Sequence, residues 1–170
     1  MKDQQRKKIF YRWLQEHKGL LLKIIRSYAR EVEDQEDLLQ EVSVQLWSSI
    51  PNFQGKSAES TWIYRVCLNT SIKWSHLQQK QAYRQNQLEK ETLLILKHED
   101  QEDPRVEWLY RQIYQLDPIQ KSLIILHLDG YSYKEIAEIA GISESNVGVK
   151  IYRIKKLITE KAKHYEHHGI

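Results

Sequence analysis

The sequence predicts an all-α protein made of two small helical domains joined by a linker. Glycine and proline are scarce, with 6 and 3 among 170 residues. Almost no β-branched alternating run offers a strand, whereas apolar residues recur at three- and four-residue steps along most of the chain. A mostly polar stretch from about Gln85 to Pro104 interrupts that periodicity. The flanking segments, 1–84 and 105–170, are each long enough to bury a modest core.

The formal net charge is only +3, but the charge is segregated. The stretch from Glu31 to Glu41 is acidic, and that from Lys150 to Lys163 is crowded with Lys and Arg, a pattern that points to two different partners. The single cysteine, Cys67, excludes an internal disulfide and a cysteine-rich zinc site. No apolar run has the length of a membrane span, and the N-terminal Met-Lys-Asp-Gln-Gln-Arg-Lys-Lys lacks the apolar core of a signal peptide. A cytoplasmic protein without stable membrane insertion, and without a cofactor, is expected. The three tail histidines, His164, His167 and His168, are weak evidence for a metal at a terminus of this kind.

In chain order, Ile9, Phe10, Trp13, Leu14, Leu20, Leu21, Ile24, Ile25 and Tyr28 predict two consecutive helices or one broken near Gly19. Asp34 is the expected N-cap of the next helix. There Leu38, Leu39, Val42, Leu46 and Ile50 form a core stripe that stops at Pro51. Asp37, Glu41, Val44 and Ser48 take the opposite side, with Gln40 and Trp47 beside them. An acidic face with apolar patches suits a basic partner surface, although carboxylates near a helix N-terminus are also favoured by the macrodipole alone.

The loop from Pro51 to Ser57 places Phe53 beside Gly55 and Lys56. Such a Phe can stack on an unpaired base or close over the edge of the core. A helix predicted over 60–80 carries Ile63, Val66, Cys67, Thr70 and Trp74 on one stripe and Leu68 and Ile72 on another. Neighbours are therefore expected on two sides, leaving an exposed strip of Trp62, Asn69 and Lys73 with Arg65 alongside. Trp62, Tyr64, Arg65, Lys73, Trp74, Lys80, Tyr83 and Arg84 interleave aromatic and basic character, the composition of a single-strand binding platform.

The linker, 85–104, holds one apolar cluster, Leu93 to Leu96. Fully extended, about twenty residues span up to roughly 70 Å, on the order of two turns of duplex DNA. Beyond it, Val106, Leu109, Ile113 and Leu116 mark a helix. Asp117-Pro118 starts the next, with Asp as N-cap and Pro where its missing N–H costs nothing, and Leu123, Ile124, Leu126 and Leu128 are expected to bury it.

The segment from Gly130 to Leu157 has the punctuation of a helix-turn-helix. Ser132 and Glu135 stand at capping-box spacing, Ile136, Ala137, Ile139 and Ala140 give a short helix a small apolar inner surface, and Gly141 is placed for a left-handed turn. A second helix is predicted from Ser143, with Val147, Ile151, Ile154 and Ile158 on its core stripe. Its opposite side carries Ser145, Val149, Tyr152, Arg153 and Lys156, flanked by Asn146 and Lys150. Those groups offer donors for phosphates and base edges and apolar contact for a thymine methyl; a solvated basic face on an ordinary helical hairpin is the alternative.

Asp34-Gln-Glu-Asp-Leu-Leu-Gln-Glu-Val42, then Trp47, Phe53 and Gly55, then Thr61-Trp-Ile-Tyr-Arg65 and Asn69, resembles region 2 of bacterial RNA polymerase sigma factors of the extracytoplasmic-function (ECF) type. Leu116-Asp-Pro through Ile125, Gly130-Tyr-Ser-Tyr-Lys-Glu-Ile-Ala137 and the helix from Ser143 to Leu157 look like region 4 of that family. The resemblance implies contact between core RNA polymerase and Asp37, Gln40 and Glu41, to which the exposed Val44 is added. It implies capture and melting of the downstream promoter element by Phe53, Lys56, Ser57, Trp62, Arg65 and Asn69, with Lys73 on the same strip. It implies reading of the duplex upstream element by Ser145, Asn146, Lys150 and Arg153, with Val149 and Lys156 on the same face. Promoter DNA, duplex and melted, is thus an implied partner, and an anti-sigma factor is another. Two positions depart from the pattern: Gly148 replaces a basic residue, and Glu59 replaces an apolar one.

The competing reading is a stand-alone helix-turn-helix regulator with an N-terminal sensor or dimerisation domain. An enzyme acting on nucleic acid lacks an acid cluster or a nucleophile-base pair to support it.

Overall fold

The computed structural model describes residues 3–82 and 103–167. Tyr83, Arg84, the apolar cluster at 93–96, most of the linker and His168 lie outside the described residues, as do the side chains of Lys80, His164 and His167. The chain divides into two compact units, Met1–Gln101 and Glu102–Ile170. Among the described residues all regular structure is helical.

The first unit contains α1 (Asp3–Glu16), α2 (Lys18–Tyr28), α3 (Val32–Ser49), a 3-10 turn (Ile50–Asn52) and α4 (Glu59–Ala82). The break expected near Gly19 falls at His17, where φ −110° and ψ 20° leave the helical region. Gly19 is instead inside α2, whose apolar spacing buries Leu21, Ile24, Ile25 and Tyr28. Asp34 is not the N-cap of α3. Glu31, extended at φ −79° and ψ 148°, holds that position, and Asp34 lies in the first turn.

The α3 stripe of Leu38, Val42 and Leu46 is fully buried; each such aliphatic side chain stabilises the fold by about 2 kcal/mol relative to exposure. It packs on α4, which also contacts α2. Two neighbours explain why α4 is apolar on two sides, with Ile63, Tyr64, Cys67 and Leu68 all buried. Tyr64 is therefore a core residue rather than part of an exposed platform, and burial pushes the Cys67 thiol well above its ordinary pKa.

The second unit contains α5 (Pro104–Tyr114), α6 (Pro118–Leu128), α7 (Tyr133–Ala140) and α8 (Glu144–His167). Its helix starts follow from local chemistry. Asp103 accepts from the Arg105 amide, and Asp117 accepts from the amides of Ile119 and Gln120, each followed by Pro at the first helical position. Leu123 to Leu126, Ile136, Val147, Ile151 and Ile154 form the core. Leu128, expected inside, is 53% exposed, and Val106 is 42% exposed. Both stand at helix ends, beyond the reach of the packed stripe.

Candidate polymerase and nucleic-acid interfaces

On α3, Asp37, Gln40, Glu41 and Val44 are exposed, one turn apart and opposite the buried stripe. Half-burial and the carboxylates of Asp37, Glu31 and Glu33 raise the Asp34 pKa above its ordinary value. Repulsion from these neighbouring carboxylates thus adds to the desolvation of Asp34. Trp47 does not belong to it. The Arg6 guanidinium lies 4.3 Å from its ring centroid and donates to its carbonyl at 2.6 and 3.1 Å, and Phe10 meets the ring edge-on at 5.4 Å.

The loop after α3 closes over the core. Phe53 is half-buried between Trp13, at 5.6 Å, and Trp62, at 5.7 Å between ring centroids. Trp62, expected on an exposed strip, is also half-buried, with its Nε1 donating to Ser49 Oγ at 3.2 Å. Lys56, Ser57, Arg65, Asn69 and Lys73 remain exposed. Glu59, the departure before the Thr-Trp pair, forms an ion pair with Arg12 that ties the start of α4 to α1. A charged residue is accommodated there because its partner comes from the neighbouring helix.

Between α3 and α4 lies a cleft of about 560 Å³, with Glu41, Gln45 and Asn52 on one wall and Asn69, Lys73 and Trp74 on the other. It joins an acidic-face residue to two of the strip residues. Gln45 Nε2 donates to Glu41 Oε1 at 3.0 Å, orienting that carboxylate. Gln45 and Asn52 carry no binding signal in the sequence, whereas Trp74 belongs to the aromatic-basic set and lines the cleft. Four-residue spacing relates Glu41 to Gln45 and Asn69 to Lys73, but only the pairing of α3 with α4 makes them facing walls.

In the second unit the capping box is complete. Ser132 Oγ accepts from the Glu135 amide at 3.3 Å, and the Glu135 carboxylate accepts from the Ser132 amide at 2.8 Å and hydroxyl at 2.7 Å. Those bonds, hydroxyl first, hold the Glu135 carboxyl below its ordinary pKa. Gly141 takes φ 70° and ψ 32° and its amide donates to Ala137 O, ending α7 in the left-handed turn. The Asn146 amide donates to Ser143 Oγ at 3.3 Å as α8 begins.

With the buried stripe of α8 turned inward, Ser145, Asn146, Val149, Arg153 and Lys156 are exposed on the other side, and Lys150 is half-buried. Tyr152, on this face but not among the residues assigned to DNA, is the most exposed of its apolar surface at 67%. At Gly148 a Cβ would lie 3.5 Å from the Tyr133 ring of α7, an ordinary contact distance.

Family models match both units: Sigma-70 region 2 over residues 13–82 and Sigma-70 region 4 over residues 106–158. The ECF RNA polymerase sigma factor SigX of Bacillus subtilis (strain 168) is 31% identical over 137 residues, covering 72% of this chain and 68% of that one. The chain belongs to the ECF sigma factors.

Another relative, the RNA polymerase sigma factor SigV of the same organism, is 25% identical over 158 residues, 92% of this chain and 93% of its own. In fold, the sigma factor resembles RpoE in its co-crystal structure with the anti-sigma factor NepR from Bartonella quintana, with TM-score 0.68, 19% identity, and coverage of 92% and 98% of the two chains. As an ECF sigma factor it functions in transcription initiation with RNA polymerase and promoter DNA, in a family of generally non-enzymatic regulators. The region 2 match sets aside the stand-alone regulator, whose N-terminal half would be a sensor or dimerisation domain. No helix among the described residues is long and apolar enough to cross a membrane.

Proposed function

We propose that residues 1–84 bind core polymerase and melt the downstream promoter element, that 85–104 is a linker, and that 105–170 reads the upstream element. The acidic face of Asp37, Gln40, Glu41 and Val44 meets the polymerase. Lys56, Ser57, Arg65, Asn69 and Lys73 hold the melted strand, with Phe53 and Trp62 shaping the loop they border. Ser145, Asn146, Val149, Lys150, Arg153 and Lys156 lie in the major groove.

The observation that carries this reading is the cleft between α3 and α4, where amides, a lysine and the Trp74 ring converge beside the acidic face. Such a cleft offers an extruded base both edge contacts and an aromatic surface, and its binding energy offsets the few kcal/mol that unstacking costs. Strand separation is then driven by binding, and the sigma factor catalyses no reaction itself. It works in the cytoplasm, where the polymerase is. An anti-sigma factor is the proposed regulator, the class of partner that RpoE has in its co-crystal structure with NepR.

The test uses the complex of full-length sigma factor with core polymerase and a single-stranded downstream-element oligonucleotide. Asn69→Asp combined with Lys73→Ala weakens capture by about tenfold or more, in line with about 1 to 3 kcal/mol for a lost base-edge contact. Unchanged single-strand affinity in the double variant, with normal association with core, refutes the role of the cleft.

A further inference from the structure

Glu16, His17 and Glu59 bring one imidazole nitrogen and two carboxylate oxygens to within 4.8 Å of one another. The three residues come from the end of α1, the α1–α2 junction and the first position of α4. Successive residues of a regular helix point about 100° apart and do not share a ligand. Here His17 leaves the helical region, at φ −110° and ψ 20°, and its imidazole and the Glu16 carboxylate lie within 4.8 Å of each other. Its backbone is held on both sides, with the His17 amide donating to Trp13 O at 3.1 Å and the Leu21 amide donating to His17 O at 3.0 Å.

We propose that Glu16, His17 and Glu59 form a binding site for a divalent first-row transition-metal ion, of which Zn²⁺ is the probe. An imidazole favours such ions over Mg²⁺ or Ca²⁺, which take all-oxygen sets. Tetrahedral ligands about 2.1 Å from zinc stand about 3.4 Å apart, so the donors close by a little over 1 Å on binding. The exposed Glu16 side chain has the freedom to make that move. Three protein ligands leave one position for water.

Arg12 is the competitor. Its Nη2 donates to Glu59 Oε1, which leaves the second carboxylate oxygen for an ion but places a positive charge beside it. The site therefore exchanges an ion pair for a metal bridge, and both fasten the start of α4 to α1. Because Trp62 stands in that first turn of α4 and touches Phe53, the ion would brace the loop that borders the strand-binding cleft. This couples the stability of the first unit to the supply of a transition metal.

Calorimetric titration of Zn²⁺ into the full-length protein tests the site, in a background carrying His164→Asn, His167→Asn and His168→Asn to remove the tail imidazoles. The expected result is one Zn²⁺ per chain with a raised thermal midpoint, and no heat from Mg²⁺ at the same concentration. His17→Asn and Glu16→Gln each weaken Zn²⁺ binding by about tenfold or more, while Arg12→Ala, which frees Glu59, tightens it. Glu16 is exposed, so Glu16→Gln reads the site without threatening the fold. Absence of Zn²⁺ binding in the tail-substituted background, or affinity undiminished from that background in the His17→Asn and Glu16→Gln variants, overturns the proposal.

Discussion

Lys121→Met isolates the energetic effect of a buried cation in the second unit. Lys121 is only 5% exposed in α6, with its Nζ 4.5 Å from the Tyr114 ring centroid. Burial lowers its pKa from 10.5 to about 8, opposed by the Asp117 carboxylate. Because the folded pKa lies below the unfolded one, the unfolded chain binds more protons between them, so stability rises with pH through that window. Below about pH 8 the folded state carries the full cost of a desolvated ammonium, and that cost fades as the lysine becomes neutral in both states. Integrating the two titrations from about pH 7 to about pH 10 gives roughly 2 to 3 kcal/mol of relief. Methionine has similar length and no charge, so the variant lacks this term. Unfolding free energies of both proteins at the two pH values supply the test, since other titrating groups cancel in the difference. The wild type should gain on the variant by roughly 2 to 3 kcal/mol as pH rises. A difference that stays constant with pH refutes the argument.

At Gly141 nothing lies within 4 Å of an added Cβ, so Gly141→Ala has only the backbone cost of φ +70°. That cost is about 1 to 2 kcal/mol, read as a lower unfolding midpoint for the second unit, and an unchanged midpoint would mean that the turn relaxes. Lys156 is exposed on the outer face of α8, and the proposal that it touches only phosphate is open to test. Lys156→Ala should weaken upstream-element binding evenly across sequences and reduce the salt slope by about one unit. A sequence-dependent loss would instead make Lys156 a base contact.

The helix-turn-helix was legible because its signals are local. Ser132 with Glu135, Gly141, and Asp117 with Pro118 each act within a few residues, and each stands in the structure where its spacing placed it. The buried stripes of α3 and α8 were legible for the same reason of periodicity. The start of α3 was not, because three neighbouring acidic residues compete for the cap and Glu31 takes it through its extended backbone. Trp62 was read as exposed from its angle on α4 alone. Its indole turns inward because Ser49, on another helix, supplies the acceptor and Phe53 the ring contact. The composition that suggested an aromatic-basic platform likewise does not distinguish Tyr64, which is core, from Trp74, which lines the cleft. Gln45 and Asn52 carry no local signal at all, since what makes them part of a cleft is the opposing helix.

The central claim is that this chain places polymerase on promoters through the acidic face of α3. Reconstituted transcription with core polymerase on a panel of promoters tests it most directly, comparing the wild-type chain with Asp37→Lys combined with Glu41→Lys. Both substituted side chains are exposed, so the variant should fold. The account predicts promoter-specific transcripts only when wild-type chain and core are both present, and loss of transcription together with core association in the variant. Transcription and core association undiminished in the charge-reversed variant would contradict it.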